Sequence, residues 1–217
     1  MMRVIEAGED FAQAGATMLS EALRLALADK PRASLALSGG RTPWPALQML
    51  GRADIDWARV DVYQVDERVA PEGDPARNLT GLQDVLLGQV RATVHAMPVE
   101  APDLDAAAAR YDAILPGTLD VVHLGLGDDG HTASLVPGDP VLDVTDRGVA
   151  ITEPYRGHRR MTLTFPALKR AGMICWIVAH ARKASMIERL LAGDETIPAG
   201  RVPRAHAVLV TDGAGDS

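Results

Sequence analysis

The feature that most restricts this chain is a repeated order of three parts: a short apolar run, a glycine-rich or charged loop, and a helical stretch. Ala33 to Leu37 runs into Ser38-Gly39-Gly40, Val60 to Val65 into Asp66-Glu67-Arg68, and Leu119 to Leu124 into Gly125-Leu126-Gly127. Further strands are predicted at 148–152, 160–164, 173–179 and 206–211. Helices are predicted over 10–28, 43–50, 79–87, 103–114 and 183–191. Strands separated by helices predict an α/β fold with a mostly parallel sheet. In such open sheets ligands bind outside the C-terminal ends of the strands, and these loops fall there. No repeat, low-complexity tract or linker breaks the order, so a single domain over residues 1–217 is expected.

Charge narrows the function classes. A formal net charge of −7 argues against nucleic acid, whose binding rests on neutralising phosphates. Any anion must therefore be held by a local cluster, against the overall field. No apolar run approaches the ~20 residues of a membrane span. Glu6, Glu9 and Asp10 stand where a secretory leader would be basic and then apolar. A cytoplasmic location is expected, with no membrane and no obligate protein partner. Cys175, the single cysteine, lies in the apolar run Met173 to Ala179 and is predicted to be a buried, unreactive strand residue.

Four stretches could carry chemistry. Ser38-Gly39-Gly40-Arg41-Thr42-Pro43 lies between a strand and a helix, where glycines let the backbone approach an anion and a helix N-terminus offers free N–H groups. Thr42 is the expected N-cap and Pro43 the expected first helical residue. Asp66-Glu67-Arg68 reads as a charged surface loop, and Asn78 as a helix cap. Gly125 to Gly130 contains a literal G-x-G-x-x-G. Pro137 and Gly138, however, leave no room for the long helix of a dinucleotide fingerprint, and Asp128 and Asp129 would repel a pyrophosphate. That loop instead presents Asp129 and His131 on a tight turn. A histidine, with an ordinary pKa of about 6.5, suits a general base there. Last, Arg160 opens one strand, and Lys183 in Ala181-Arg182-Lys183-Ala184 opens the helix after another. A glycine cradle, two cations and a histidine can then share one crevice. The six histidines show no metal-ligand spacing, so no metal is expected. His123, on an apolar strand, reads as a core residue. Ser134 lacks the setting of a nucleophile elbow, which argues against a Ser-His-Asp triad.

In combination these stretches resemble the 6-phosphogluconolactonase family of the pentose phosphate pathway. Ser-Gly-Gly-x-Thr-Pro, Asp-Glu-Arg, Gly-x-Gly-x-Asp-Gly-His-Thr-Ala-Ser and Arg-x-Thr-Leu-Thr occur here in the family's order. The resemblance runs from Leu35 to about Leu191, with a looser fit from Ile197 to Asp212. It implies a Rossmann-like open, mostly parallel sheet with helices on both faces. It also implies hydrolysis of a small phosphorylated sugar lactone, 6-phospho-D-glucono-1,5-lactone, without metal or organic cofactor. In the implied site Ser38, Gly39, Gly40, Arg41 and Thr42 surround the phosphate, and Arg160 and Lys183 neutralise it. Asp66 shares the pocket, His131 is the base, Asp129 orients its turn, and Arg68 stabilises the oxyanion. Arg41 and His180 depart from the family, which often has a small residue and usually Gly at those positions. The nearest alternative is a glucosamine-6-phosphate deaminase or isomerase. Its loop after Gly-His typically continues Ile-Ala-Phe-Asn-Glu, whereas Thr132-Ala133-Ser134 follows His131 here. A non-catalytic sugar-phosphate sensor would need a DNA-binding module, for which the length leaves no room.

Overall fold

The computed structural model describes residues 2–180 and 183–213. Strand β1 (Arg3–Glu6) leads to helix α1 (Phe11–Asp29), β2 (Ala33–Leu37), α2 (Trp44–Leu50), β3 (Val60–Gln64) and β4 (Asp66–Arg68). Helix α3 (Asn78–Leu82) then continues as a π-helical turn over Gln83–Leu87. Next come β5 (Thr93–His95), α4 (Leu104–Ile114), β6 (Leu119–Leu124), β7 (Val149–Ile151) and β8 (Arg160–Leu163). The described chain closes with α5 (Phe165–Leu168), β9 (Ala171–Val178), α6 (Ala184–Ala192) and β10 (Ala207–Thr211).

Seven strands form a parallel sheet in the order β1-β10-β9-β6-β2-β3-β5. Both of its faces are covered, which is why its central strands read as unbroken apolar runs. Period-2 alternation sends Leu35, Leu37, Cys175 and Ile177 to one face, against Leu19 and Leu23 of α1 and Leu47 of α2. Ala36, Ile174, Trp176 and Leu209 take the other, with Tyr111 of α4 and Ile187 and Leu190 of α6. Each fully buried Leu or Ile contributes about 1.5–3 kcal/mol, so the central strands hold the sheet together. The α/β class and the mostly parallel sheet match the expectation. Among the described residues no helix is long and apolar enough to cross a membrane.

Four local expectations need correction. Edge strands β1 and β5 were not anticipated, because they are only four and three residues long and exist through pairing with β10 and β3. Asp66-Glu67-Arg68 is no surface loop. It is β4, in a second, antiparallel sheet of order β4-β8-β7, with Asp66 and Glu67 buried. Thr42 caps nothing: α2 begins at Trp44 after Pro43, without a side-chain cap. Asn78 is the first residue of α3 rather than its cap. The free N–H groups of Asn78 and Leu79 donate instead to the Glu67 carboxylate, at 2.7 and 2.8 Å. That leaves the Asn78 carboxamide free to turn inward.

His123 lies on the same face as its register partners Leu37 and Cys175. It is fully buried, and neither ring nitrogen has a hydrogen-bond partner. Burial pushes its pKa down to about 4, and that of Cys175 up to about 12. Because the folded pKa of His123 lies below its unfolded value, the unfolded chain binds the extra proton as the pH falls. Stability is intact above an ordinary pKa of about 6.5, declines below it, and has lost about 3 kcal/mol by the folded pKa. His123→Leu should therefore flatten the fall in urea-unfolding free energy between neutral pH and pH ~4 by about that amount. An unchanged slope in the variant would remove His123 as the cause.

Candidate active site

Strands β2 and β6 are neighbours, yet the chain leaves β2 towards β3 and leaves β6 towards β9, on opposite sides. At such a switch point the two loops diverge and a crevice opens beyond the strand ends. The loops here are Ser38-Gly39-Gly40 and Gly125-Leu126-Gly127. They border a cleft of about 720 Å³, lined also by Arg41, Thr42, Asp66, Arg68, Arg77, Asn78, Asp128, His131, Arg156, His158, Arg160 and Lys183. Of the residues that the resemblance places in the site, Asp129 alone does not line it. Asp129 stands behind His131.

The first wall is the glycine loop. Ser38 is buried and its hydroxyl has no partner, although it borders the cleft. A Cβ on Gly39 would overlap the Asn78 carboxamide, so only glycine lets this backbone pass. Arg41 is exposed at the rim.

The second wall comes from the small sheet. Antiparallel pairing of β4 with β8 sets Arg68 directly opposite Arg160. Like charges at such a position destabilise a sheet on their own. The charge of Asp66 acts against that repulsion at Arg160; its Oδ2 accepts from Ser134 Oγ at 2.6 Å and its Oδ1 from Asn78 Nδ2 at 3.1 Å. Arg68 Nη1 donates to the Asn78 carboxamide and to Ala76 O at 3.0 Å. Arg160 is buried, its Nη2 donates to Tyr155 O at 3.3 Å, and its Nε has no partner. Burial lowers its pKa, Asp66 opposes that shift, and Arg68 adds to it. Arginine stays protonated even so. The unpartnered Ser38 hydroxyl and Arg160 Nε thus belong to two residues that line one cleft.

The third wall is the histidine turn. Gly127 N–H donates to His131 O at 2.8 Å, and a Cβ on Gly127 would overlap the imidazole. Thr132 Oγ1 donates to Gly125 O at 2.9 Å, and Thr162 Oγ1 accepts the Ser134 N–H at 3.2 Å. Thr132 and Ser134 are thus staples of the turn. No hydrogen bond joins His131 to Ser134, whose hydroxyl donates to Asp66. Asp129 Oδ1 meets His131 Nδ1 at 2.5 Å and accepts the His131 N–H at 3.1 Å. A carboxylate can only accept, so Nδ1 carries the proton, and in the neutral ring Nε2 keeps its lone pair. Burial would raise the Asp129 pKa, but its bonds from His131 and Tyr155 outweigh this and hold it below the usual value. Asp128 and Asp66 also line the cleft but make no hydrogen bond to the imidazole, and Glu67 is buried in a different web.

Lys183 sits at the N-cap of α6, where a cation opposes the helix dipole, and its Nζ donates to Leu126 O. Backbone departures gather here too: Ala133 and Arg156, at φ +51° and +50°, both line the cleft. Such local costs concentrate at functional sites. His180 does not reach the cleft. It lines a separate recess, and its N–H donates to Asp212 at 2.5 Å. Ala181 and Arg182 lie outside the described residues. Among the described residues no three His, Cys, Asp or Glu side chains are grouped to hold a metal ion.

Sequence reasoning missed Arg77, Tyr155 and the inward role of Asn78. Arg77 precedes a helix and is buried against Glu67 at 3.3 Å. A buried cation there leaves no periodic signal.

The family model for glucosamine-6-phosphate isomerases/6-phosphogluconolactonase matches residues 6–211. A 6-phosphogluconolactonase of Pseudomonas putida is 37% identical over 187 residues, covering 82% of this chain and 77% of that protein. One from Rhizobium meliloti is 36% identical, covering 89% of each. The crystal structure of a 6-phosphogluconolactonase from Thermotoga maritima superposes with a TM-score of 0.89 at 23% identity, covering 97% of this chain and 99% of that one, a likeness of fold.

Proposed function

We propose a reaction from one premise: the chain belongs to the family of glucosamine-6-phosphate isomerases and 6-phosphogluconolactonases. It hydrolyses 6-phospho-D-glucono-1,5-lactone to 6-phosphogluconate in the pentose phosphate pathway. The observation that carries the reading is a carboxylate-braced imidazole beside a cation-lined cleft, in a chain of net charge −7.

In this reading the N–H groups of Ser38, Gly39 and Gly40, the hydroxyls of Ser38 and Thr42, and the side chains of Arg41, Arg160 and Lys183 take the phosphate. The unpartnered Ser38 hydroxyl and Arg160 Nε support that assignment. Charge-assisted bonds of this kind are stronger than neutral ones. His131 Nε2 removes a proton from water as its oxygen attacks the lactone carbonyl. Arg68 stabilises the oxyanion, and the charge of Asp66 favours the charged form of Arg160 beside it. Collapse breaks the bond to the ring oxygen, which takes the proton back from His131; the new carboxylic acid releases its own proton to water, and a carboxylate and a hydroxyl remain. Residues 1–217 act as one domain in the cytoplasm, on a small phosphorylated lactone.

The test is proton release from freshly made 6-phosphogluconolactone, with spontaneous hydrolysis subtracted. No rate above background would end this reading, and ammonia released from glucosamine-6-phosphate would replace it. Within it, Lys183→Ala should raise KM about 10–100-fold, the worth of a hydrogen bond to a charged group, with kcat little altered. Equal losses on unphosphorylated gluconolactone would show that Lys183 does not hold phosphate.

A further inference from the structure

We infer that Tyr155 is a positioning residue for His131, acting through Asp129; the inference rests on the reading of His131 as the base. Tyr155 is half-buried in the hairpin between β7 and β8, 26 residues away from Asp129 in sequence. Its hydroxyl donates to Asp129 Oδ2 at 3.0 Å, while Oδ1 meets His131 Nδ1 at 2.5 Å. The carboxylate is therefore gripped at both oxygens. It cannot turn away from the imidazole without breaking the tyrosine bond.

The ring of Tyr155 has its own anchors. It meets the His131 ring edge-on, with centroids 5.7 Å apart and planes at 67°. The guanidinium carbons of Arg160 and Arg156 lie 4.9 and 5.1 Å from its centroid. Edge-on and cation–π contacts are directional, so they define where the hydroxyl stands. The hairpin is tight: Tyr155 N–H donates to His158 O at 2.9 Å across Arg156 and Gly157, both at positive φ. One phenol thus touches the base, the partner of the base, and the buried cation opposite Arg68. Burial and the neighbouring Asp129 carboxylate both push the tyrosine pKa up, so the hydroxyl stays a donor.

Physically, the hydroxyl does what the third member of a catalytic chain does. It fixes the orientation of the carboxylate, the carboxylate fixes the Nδ1–H tautomer, and the lone pair stays on Nε2. Nothing in substrate binding requires it, which separates its signature from that of a phosphate ligand.

Tyr155→Phe deletes the hydroxyl and keeps the ring with its stacking. The expected result is a fall in kcat of about tenfold, the lower end for a lost hydrogen bond to a charged group, with KM and the thermal midpoint unaltered. In an Asp129→Asn background the same substitution should cost nothing further, because the hydroxyl acts only through that carboxylate. Nitrogen-15 spectra of His131 should show the Nδ1–H tautomer in the wild type and a growing share of Nε2–H in the Phe variant. Multiplying effects in the double variant, or an imidazole spectrum indifferent to Tyr155→Phe, would overturn the inference. Should His131→Asn keep its kcat, the base reading falls on its own. The spectrum would still decide whether Tyr155 holds the ring.

Discussion

Glu67→Ala is expected to lower the unfolding free energy by about 3–5 kcal/mol, the cost of breaking a buried charge pair from one side. Glu67 is wholly buried, and its two oxygens accept five bonds. Oε1 takes the N–H groups of Arg68 and Asn78 at 2.8 and 2.7 Å. Oε2 takes the N–H of Leu79 at 2.8 Å, Gln64 Nε2 at 2.9 Å and Arg77 Nε at 3.3 Å. Truncation leaves those donors without their acceptor, and the Arg77 side chain is itself only 4% exposed. The loss should appear as a lower urea midpoint at unchanged m-value. Glu67→Gln should cost less, since it retains one carbonyl oxygen for two of the donors. An Ala variant within 1 kcal/mol of the wild type would show that water enters and solvates the web. Activity should fall alongside stability in the Ala variant, because the same carboxylate fixes the Arg68 backbone and the start of α3.

That web also explains which parts of the molecule could be read from the sequence. Apolar runs such as Ala33–Leu37 and Leu119–Leu124 declare themselves, because a strand covered on both faces needs a continuous apolar run. The loops after them are legible for the same reason: glycine and proline punctuate the run at a sheet edge where ligands bind. Asp66-Glu67-Arg68 was misread because three charges in succession suggest solvent. Their burial is made possible by partners distant in sequence, Thr162 and Met161 across the sheet and Asn78 and Arg77 beyond the next loop. Asn78 was misread by the same route, since Glu67 had already taken the capping role. Thr42 has the side chain of a cap, but the helix starts two residues later. Tyr155 left no trace at all. Its contact with Asp129 depends on how a hairpin packs over a turn, and no spacing rule encodes that. For Glu67 and Asn78, local preference was outweighed by a polar partner brought in by tertiary structure.

His131→Asn should reduce kcat by about 10²–10⁴-fold, the usual span for a lost general base. A base contributes only where water is being deprotonated, so substrate binding should change little and the loss should fall on kcat rather than KM. Asn is the informative replacement here. It keeps a polar side chain of similar volume above Gly127, where a larger group would meet the backbone, and it can still face Asp129. The His131 N–H bond to Asp129 and the bond from Gly127 to His131 O involve backbone atoms, so the turn itself should survive. What disappears is the imidazole of this turn, which can take up a proton from water and later return it. Lactones open spontaneously in water, so both rates must be taken above the uncatalysed background. A folded Asn variant with near wild-type kcat would eliminate His131 as the base. Asp66 and Asp128 would then be the carboxylates left lining the cleft, and Asp66 is already committed to Ser134 and Asn78.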